Sequence, residues 1–321
     1  MAFEFIGSII FSFVTSLREV LEAALIIGII TGYLTKLDRK DLHRDVIYGV
    51  LGAIGFSIGM AWIFLNLLTG LTEYQKLFEG VVMFLAVGVL TWMIIWMTRQ
   101  SKNFRSEFQD RIDKIITNKE KAGIVLLVFF SVSREGAELV LFLYASYLGI
   151  VEEVGPVISL STILTGFIIG LAVATVLAFV LFKTTGRLNI KKFFQVTSVI
   201  LIVFAAGLLA HGLHEIYEFL EIAGSSLVGN FLWTEVWNIN NTPLGDLLNI
   251  IFGWSYDPSN PNRFEKSAVG GIIVGLFGWN DNPALIEVLA YALYYIIVIY
   301  AIKRIQAPIF EEDTVSTSMS H

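Results

Sequence analysis

Apolar residues run through this chain in blocks of about 20 or more, the length a helix needs to cross a hydrocarbon layer of about 30 Å. In lipid, a spanning segment must satisfy its own backbone, which favours helices. The blocks predict seven crossings, at residues 5–34, 47–68, 78–97, 123–148, 157–182, 196–213 and 285–302. The expected fold class is an all-α polytopic membrane protein: one membrane domain over 1–306 and a polar cytoplasmic tail at 307–321. The segment 216–283 is broken by Asn, Pro and Gly. Its Trp233, Trp237, Trp254 and Trp279 suit headgroup level, so it is expected as an outer loop with interfacial pieces. The N-terminal run lacks a basic start and exceeds a signal-peptide core, so it is expected to remain as the first span.

Two blocks are interrupted at their centres by one pattern. Arg18-Glu19-Val20-Leu21-Glu22 lies in the first, and Arg134-Glu135-Gly136-Ala137-Glu138 in the fourth. Residues three apart share a helix face, which aligns Glu19 with Glu22 and Glu135 with Glu138. Arg18 reaches Glu22, and Arg134 reaches Glu138, as i,i+4 pairs. A charge at the bilayer centre costs about 3 kcal/mol or more, so such residues point to function.

The flanks of the two motifs echo each other, with Phe13-Val14-Thr15-Ser16-Leu17 before one and Phe129-Phe130-Ser131-Val132-Ser133 before the other. Each motif sits in the first helix of three. Three is odd, so the second trio must run opposite to the first. The prediction is a three-plus-three inverted repeat (repeat one 1–98, repeat two 121–215) followed by a last span at 284–304. That symmetry brings the motifs together near the midplane, where transporters with inverted repeats hold their substrates. The middle helices also match. Gly55-x-x-x-Gly59 and Gly166-x-x-x-Gly170 have the spacing at which small residues let helices approach.

Charge fixes an orientation. Lys36, Arg39, Lys40 and Arg44 fill the first loop, and seven basic residues from Arg99 to Lys121 fill the third. Lys183, Arg187, Lys191 and Lys192 fill the fifth, with Lys303 and Arg304 after the last span. Beyond the intramembrane Arg18 and Arg134, only Lys76, Arg263 and Lys266 fall on the other side. Basic loops stay cytoplasmic, which predicts the N-terminus outside and the C-terminus inside. The 55% hydrophobic content and mean hydropathy of +0.72 agree with a membrane protein. With no cysteine, disulfides, thiolate metal sites and Cys-ligated clusters are excluded, so any metal is held by oxygen or imidazole nitrogen. No phosphate-binding Gly-rich loop is present for direct nucleotide drive.

Four carboxylates and two guanidiniums sum to −2 when all are ionised. A divalent cation neutralises that set, and a trivalent one leaves +1. Carboxylate oxygens are hard ligands. Competing readings are ion pairs that only hold two helices together, a metal-free proton relay, and a membrane-bound carboxylate-metal redox enzyme. Bundle di-iron sites use Glu-x-x-His, and here Glu stands in place of that His. No prosthetic group is expected.

Further polar residues fall on the expected outer side: Glu79, Glu152, Glu153, His211, His214, Glu215 and Glu218. His211 with Glu215, and His214 with Glu218, are i,i+4 pairs, a spacing that suits metal binding or plain interfacial satisfaction. As an entrance site this group raises the local cation concentration; the alternative is an ordinary solvated rim. Trp92 and Trp96 have the spacing of packing residues, with lining of a path as the alternative.

The doubled Arg-Glu-x-x-Glu in spans one and four resembles the high-affinity iron permease family, which includes fungal oxidase-dependent iron permeases, bacterial iron uptake permeases and lead-uptake relatives. The resemblance covers most of the chain. It extends to Phe78-Glu79-Gly80-Val81-Val82-Met83, to Ala205-Ala206-Gly207-Leu208-Leu209-Ala210, and to Gly278-Trp279 through Pro283-Ala284-Leu285-Ile286-Glu287. It implies iron import across the cytoplasmic or plasma membrane without enzymatic turnover. It implies Glu19, Glu22, Glu135 and Glu138 as iron ligands, with Arg18 and Arg134 in support. It also implies an extracytoplasmic oxidase or peroxidase as partner, beside the iron ion and the lipid bilayer. Lead or manganese are the alternative cargoes. Glu152-Glu153 match the family's extracytoplasmic acidic motif loosely. All-oxygen ligation suits iron(III), and the charge balance suits a divalent ion.

Overall fold

The computed structural model describes residues 6–67, 74–100, 104–117, 122–183, 190–223, 236 and 283–306. Its main elements are eight helices: α1 (Ile6–Lys36), α2 (His43–Leu67), α3 (Gln75–Gln100), α4 (Phe104–Thr117), α5 (Gly123–Val154), α6 (Pro156–Lys183), α7 (Ile190–Ile222) and α8 (Leu285–Gln306). Five of them, α2, α3, α6, α7 and α8, are long and apolar enough to cross a bilayer. The motif helices α1 and α5 are longer than most, at 31 and 32 residues, and the charges at their centres set them apart from those five. Large apolar side chains face outward along whole helices, such as Ile47, Leu51, Ile58 and Trp62 on α2 and Ile168, Val176 and Phe179 on α6. In water that surface would be a liability; against lipid it is the expected exterior. This is a multi-pass helical membrane protein.

One residue separates α5 from α6. Gly155 adopts φ 80, a left-handed conformation that a side chain would strain, and its N–H donates to Val151 O (2.9 Å). Pro156 then opens α6, where its missing N–H costs nothing. The two helices fold back as a hairpin.

Packing pairs the helices in a crossed pattern. α1 lies along α6, α2 along α5, and α3 along α7, while α1 also meets α5 and α8 covers α7. The core clusters give the directions. Ile26, Ile30 and Leu34 late in α1 meet Ile124, Val128 and Val132 early in α5, whereas Phe11 and Val14 early in α1 share a cluster with Leu141 to Leu148 late in α5. α1 and α5 therefore run antiparallel, with the motifs at their crossing. Ile112 of α4 closes the cluster at the end where α1 finishes, and Tyr33 donates to Asp113 there (2.8 Å).

The small-residue expectation divides. A Cβ at Gly166 would meet Ile9 O at 2.5 Å, and one at Gly170 would meet Phe13 O at 2.7 Å, so both glycines set the α1–α6 contact. Gly55 and Gly59 have nothing within 4 Å of a Cβ. They do not make the matching contact, because they face away from the α2–α5 seam. Gly49 and Gly52 serve it instead, against Val125, Val128 and Phe129. The helix expected to end at residue 213 continues to Ile222. Most of the outer segment 216–283 and the tail 307–321 lie outside the described residues.

Candidate functional site

The crossing of α1 and α5 brings their carboxylates together. One oxygen each of Glu19, Glu22 and Glu135 lies within 4.8 Å of the others, close enough for one ion to contact all three. Glu19 and Glu135 are buried, and the Glu22 side chain is 11% exposed. Each motif repeats its internal pair: Arg18 Nε donates to Glu22 Oε1 at 3.0 Å, and Arg134 Nε donates to Glu138 Oε1 at 2.9 Å. Glu138 is not part of the group of three, although its Oε1 accepts from Arg134 just as Glu22 Oε1 accepts from Arg18. It remains within electrostatic range of Glu19, Glu22 and Glu135.

Several polar atoms here lack partners. Both Glu19 oxygens, Glu135 Oε2, Glu138 Oε2 and Arg18 Nη1 are buried with no hydrogen bond. A buried, unpaired carboxylate is costly, and three together also repel one another, unless protons or a cation join them. The donors present are hard oxygens, which suits an oxygen-seeking cation.

The arginines end on α3, which sequence reasoning did not foresee. Arg18 Nη2 donates to the sulfur of Met97, and Arg134 Cζ lies 4.7 Å above the Trp96 ring. Trp96 thus supports a motif arginine, while Trp92 is exposed on the outer surface of the bundle. Arg18 is 0% exposed and Arg134 is 40% exposed, so the two motifs match in sequence but not in surroundings.

A second polar cluster forms where the start of α3 meets the late part of α7 and the start of α8. His211 Nε2 lies 3.7 Å from Glu215, and His214 Nε2 lies 3.4 Å from Glu218, as the i,i+4 spacing predicts. Lys76 Nζ joins both acids, at 3.0 Å from Glu215 and 2.6 Å from Glu218. His214 Nδ1 also contacts Glu287 at 3.1 Å. Glu79 is buried, accepts from Gln75 at 2.9 Å, and lies in electrostatic range of Tyr144 and Tyr147. Lys76 and Glu287 are the members that the sequence reading left out of this cluster. Glu152 and Glu153 belong to the last turn of α5, and their side chains lie outside the described residues.

A polytopic helical membrane protein with a buried carboxylate centre at the crossing of two Arg-Glu-x-x-Glu helices belongs to a definable class. The chain matches the iron permease FTR1 family over residues 10–307, and it belongs to that family. It is 34% identical over 311 residues to the ferrous iron permease EfeU of Escherichia coli O6:H1, covering 96% of this chain and 99% of that protein. It is 31% identical over 288 residues to the ferrous iron permease EfeU of Yersinia pestis, covering 88% and 89%. An uncharacterized protein of Archaeoglobus fulgidus is 34% identical over 292 residues, covering 91% and 93%. No solved structure matches the chain.

Proposed function

We propose that this permease imports iron, and that Glu19, Glu22 and Glu135 hold the ion midway across the bilayer while Glu138 completes the set as it leaves Arg134. The observation that carries the reading is the convergence of three carboxylates from two antiparallel helices within 4.8 Å, with both Glu19 oxygens unpaired. An iron ion supplies the positive charge that such a group lacks. Relatives named ferrous iron permeases support iron(II) as the form carried.

Seven helices cross the membrane in this reading: α1, α2, α3, α5, α6, α7 and α8. They form the membrane domain over 1–306 that ends in the tail 307–321. The first trio and the second form an inverted repeat, and the crossed pairing supports it. Exchanging the trios turns the α1–α6 pair into the α5–α2 pair and returns α1–α5 and α3–α7 to themselves. The end of α1, the loop from Lys36 to Arg44 and the charged α4 face the cytoplasm. The cluster of Glu79, His211, His214, Glu215 and Glu218, with Glu152 and Glu153 from the last turn of α5, then forms the outer entrance. Iron moves from there to the midplane carboxylates, and rocking of one trio against the other releases it inward. An extracytoplasmic oxidase or peroxidase supplies the ion or sets its oxidation state.

Iron(II) binding to the purified full chain, measured without oxygen by equilibrium dialysis, tests the site. The expected result is one tight site in the wild type, lost in Glu19→Gln and in Glu135→Gln. Wild-type binding in both variants would remove the carboxylates from the site.

A further inference from the structure

Many hydroxyls on these helices bond back along their own helix. Ser12, Thr31, Ser57, Thr91, Ser131 and Thr175 each donate to the carbonyl four residues earlier. This back-bond satisfies a helical hydroxyl without a partner from another helix. Among the described residues Thr15 is one of four buried Ser/Thr hydroxyls that do not, with Ser16, Ser133 and Ser146. Thr15 is 0% exposed, and its Oγ1 has no partner.

Its position gives that departure a meaning. Thr15 precedes Glu19 by four residues and Glu22 by seven, so at 3.6 residues per turn it stands in angle between the two carboxylates and about 6 Å from Glu19 along the axis. Glu19, the next polar group on that face, also has both oxygens unpaired. The second motif supplies an internal control. Ser131 stands four residues before Glu135, and it is satisfied by Leu127 O at 2.7 Å. Because α5 is antiparallel to α1, Ser131 lies on the opposite side of the carboxylates from Thr15. The other unpaired hydroxyls beside the motifs do not share this placement. Ser16 has its Cβ against Gly170 of α6, and Ser133 is two positions from Glu135, on another face of α5.

We propose that the Thr15 hydroxyl is an additional oxygen ligand on the outer side of the carboxylate cluster, replacing one water of the iron ion as it steps inward to Glu19, Glu22 and Glu135. The inference rests on the reading of those carboxylates as the iron site. A hydroxyl is a neutral hard donor. It helps strip the hydration shell without adding negative charge that would trap the ion, which conduction requires.

The test uses Thr15→Val, which keeps the shape and removes the hydroxyl, Thr15→Ser, which keeps the hydroxyl, and Glu135→Gln. Each full-length protein is assayed for anaerobic iron(II) binding and for the KM and maximal rate of uptake into liposomes. The loss of one such contact weakens binding by about tenfold, so Thr15→Val is expected to raise both Kd and KM by about that factor. Thr15→Ser is expected to stay within about twofold of wild type on the same scale. If Thr15→Val does not fold, judged by thermal melting, Thr15→Ala is read in its place. Wild-type binding in Thr15→Val overturns the proposal, as does equal weakening in Val and Ser, which would mean packing alone. Loss of binding in Glu135→Gln beside an unaffected Thr15→Val removes Thr15 and leaves the carboxylate site standing. Wild-type binding in Glu135→Gln removes both.

Discussion

The α1–α6 seam offers a perturbation whose size follows from the structure. A Cβ at Gly166 would sit 2.5 Å from Ile9 O and 2.7 Å from the Cβ of Ser12; one at Gly170 would sit 2.7 Å from Phe13 O and 2.8 Å from the Cβ of Ser16. Carbon and carbonyl oxygen ordinarily approach to about 3.3 Å, so each alanine must push the helices apart by about 0.6–0.8 Å. The obstacle is backbone on a helix, which cannot rotate away as a side-chain tip can. Overpacking of this kind costs about 1–3 kcal/mol. The two positions lie one turn apart on one seam, so a single displacement accommodates both, and the double variant costs less than the sum. The displaced helix carries Glu19 and Glu22. Metal–oxygen distances tolerate about 0.2 Å, so a shift of this size is expected to weaken iron binding by about tenfold as well. Gly55→Ala and Gly59→Ala are the controls, since nothing lies within 4 Å of a Cβ there. Alanine is the better helix former by about 1 kcal/mol, so these variants are expected to match or slightly exceed wild-type stability. The assay is thermal unfolding in detergent with parallel iron(II) binding. The reasoning fails if Gly166→Ala melts with wild type, or if Gly55→Ala is as damaging as Gly166→Ala.

Further expectations follow from the surroundings of single residues. Arg18→Gln breaks an ion pair whose guanidinium is fully buried and is expected to cost about 3–5 kcal/mol, whereas Arg134→Gln, at a half-exposed guanidinium, costs about 1–2 kcal/mol; chemical denaturation of the two variants side by side checks this ranking. Lys76→Gln removes the ammonium that neutralises Glu215 and Glu218, so, with this cluster as the proposed entrance, the uptake KM is expected to fall at low ionic strength and to approach wild type as salt screens the acids. His211 and His214 gain positive charge on protonation beside those acids. Wild-type uptake is therefore expected to fall as the pH drops and these imidazoles protonate, and the double variant His211→Ala with His214→Ala should have a flatter profile. Parallel profiles for the double variant and wild type would remove the histidines from the entrance.

Much of this architecture is legible in the sequence because lipid imposes simple rules. The apolar blocks give the helices, and the motif spacing gives the Arg18–Glu22 and Arg134–Glu138 pairs, since both depend only on local helix geometry. The convergence of Glu19, Glu22 and Glu135 is also readable, because the doubled motif calls for a partner at equal depth. What the sequence could not supply depends on rotation about helix axes. The glycine spacing of α2 looks like that of α6, yet Gly55 and Gly59 face away from the neighbouring helix while Gly166 and Gly170 face α1. The separation of Glu138 from the other three carboxylates is not readable from the motif either, since Glu22 makes the same arginine pair and yet joins the group. The roles of Trp96 and Met97 depend on where α3 passes the two arginines, which no pattern along the chain encodes. The bridge from Lys76 to α7 is long-range in the same way. A lone lysine among acids at the start of α3 was the available signal.

The central claim is that one ion sits on carboxylates from both motifs during transport. The direct measurement is anaerobic uptake of iron(II) into liposomes by wild type, Glu22→Gln, Glu135→Gln and the double variant. If the residues act as one site, each single variant abolishes saturable uptake, and the double variant is no worse than either single. Saturable uptake that survives in either single variant at the wild-type rate contradicts the account.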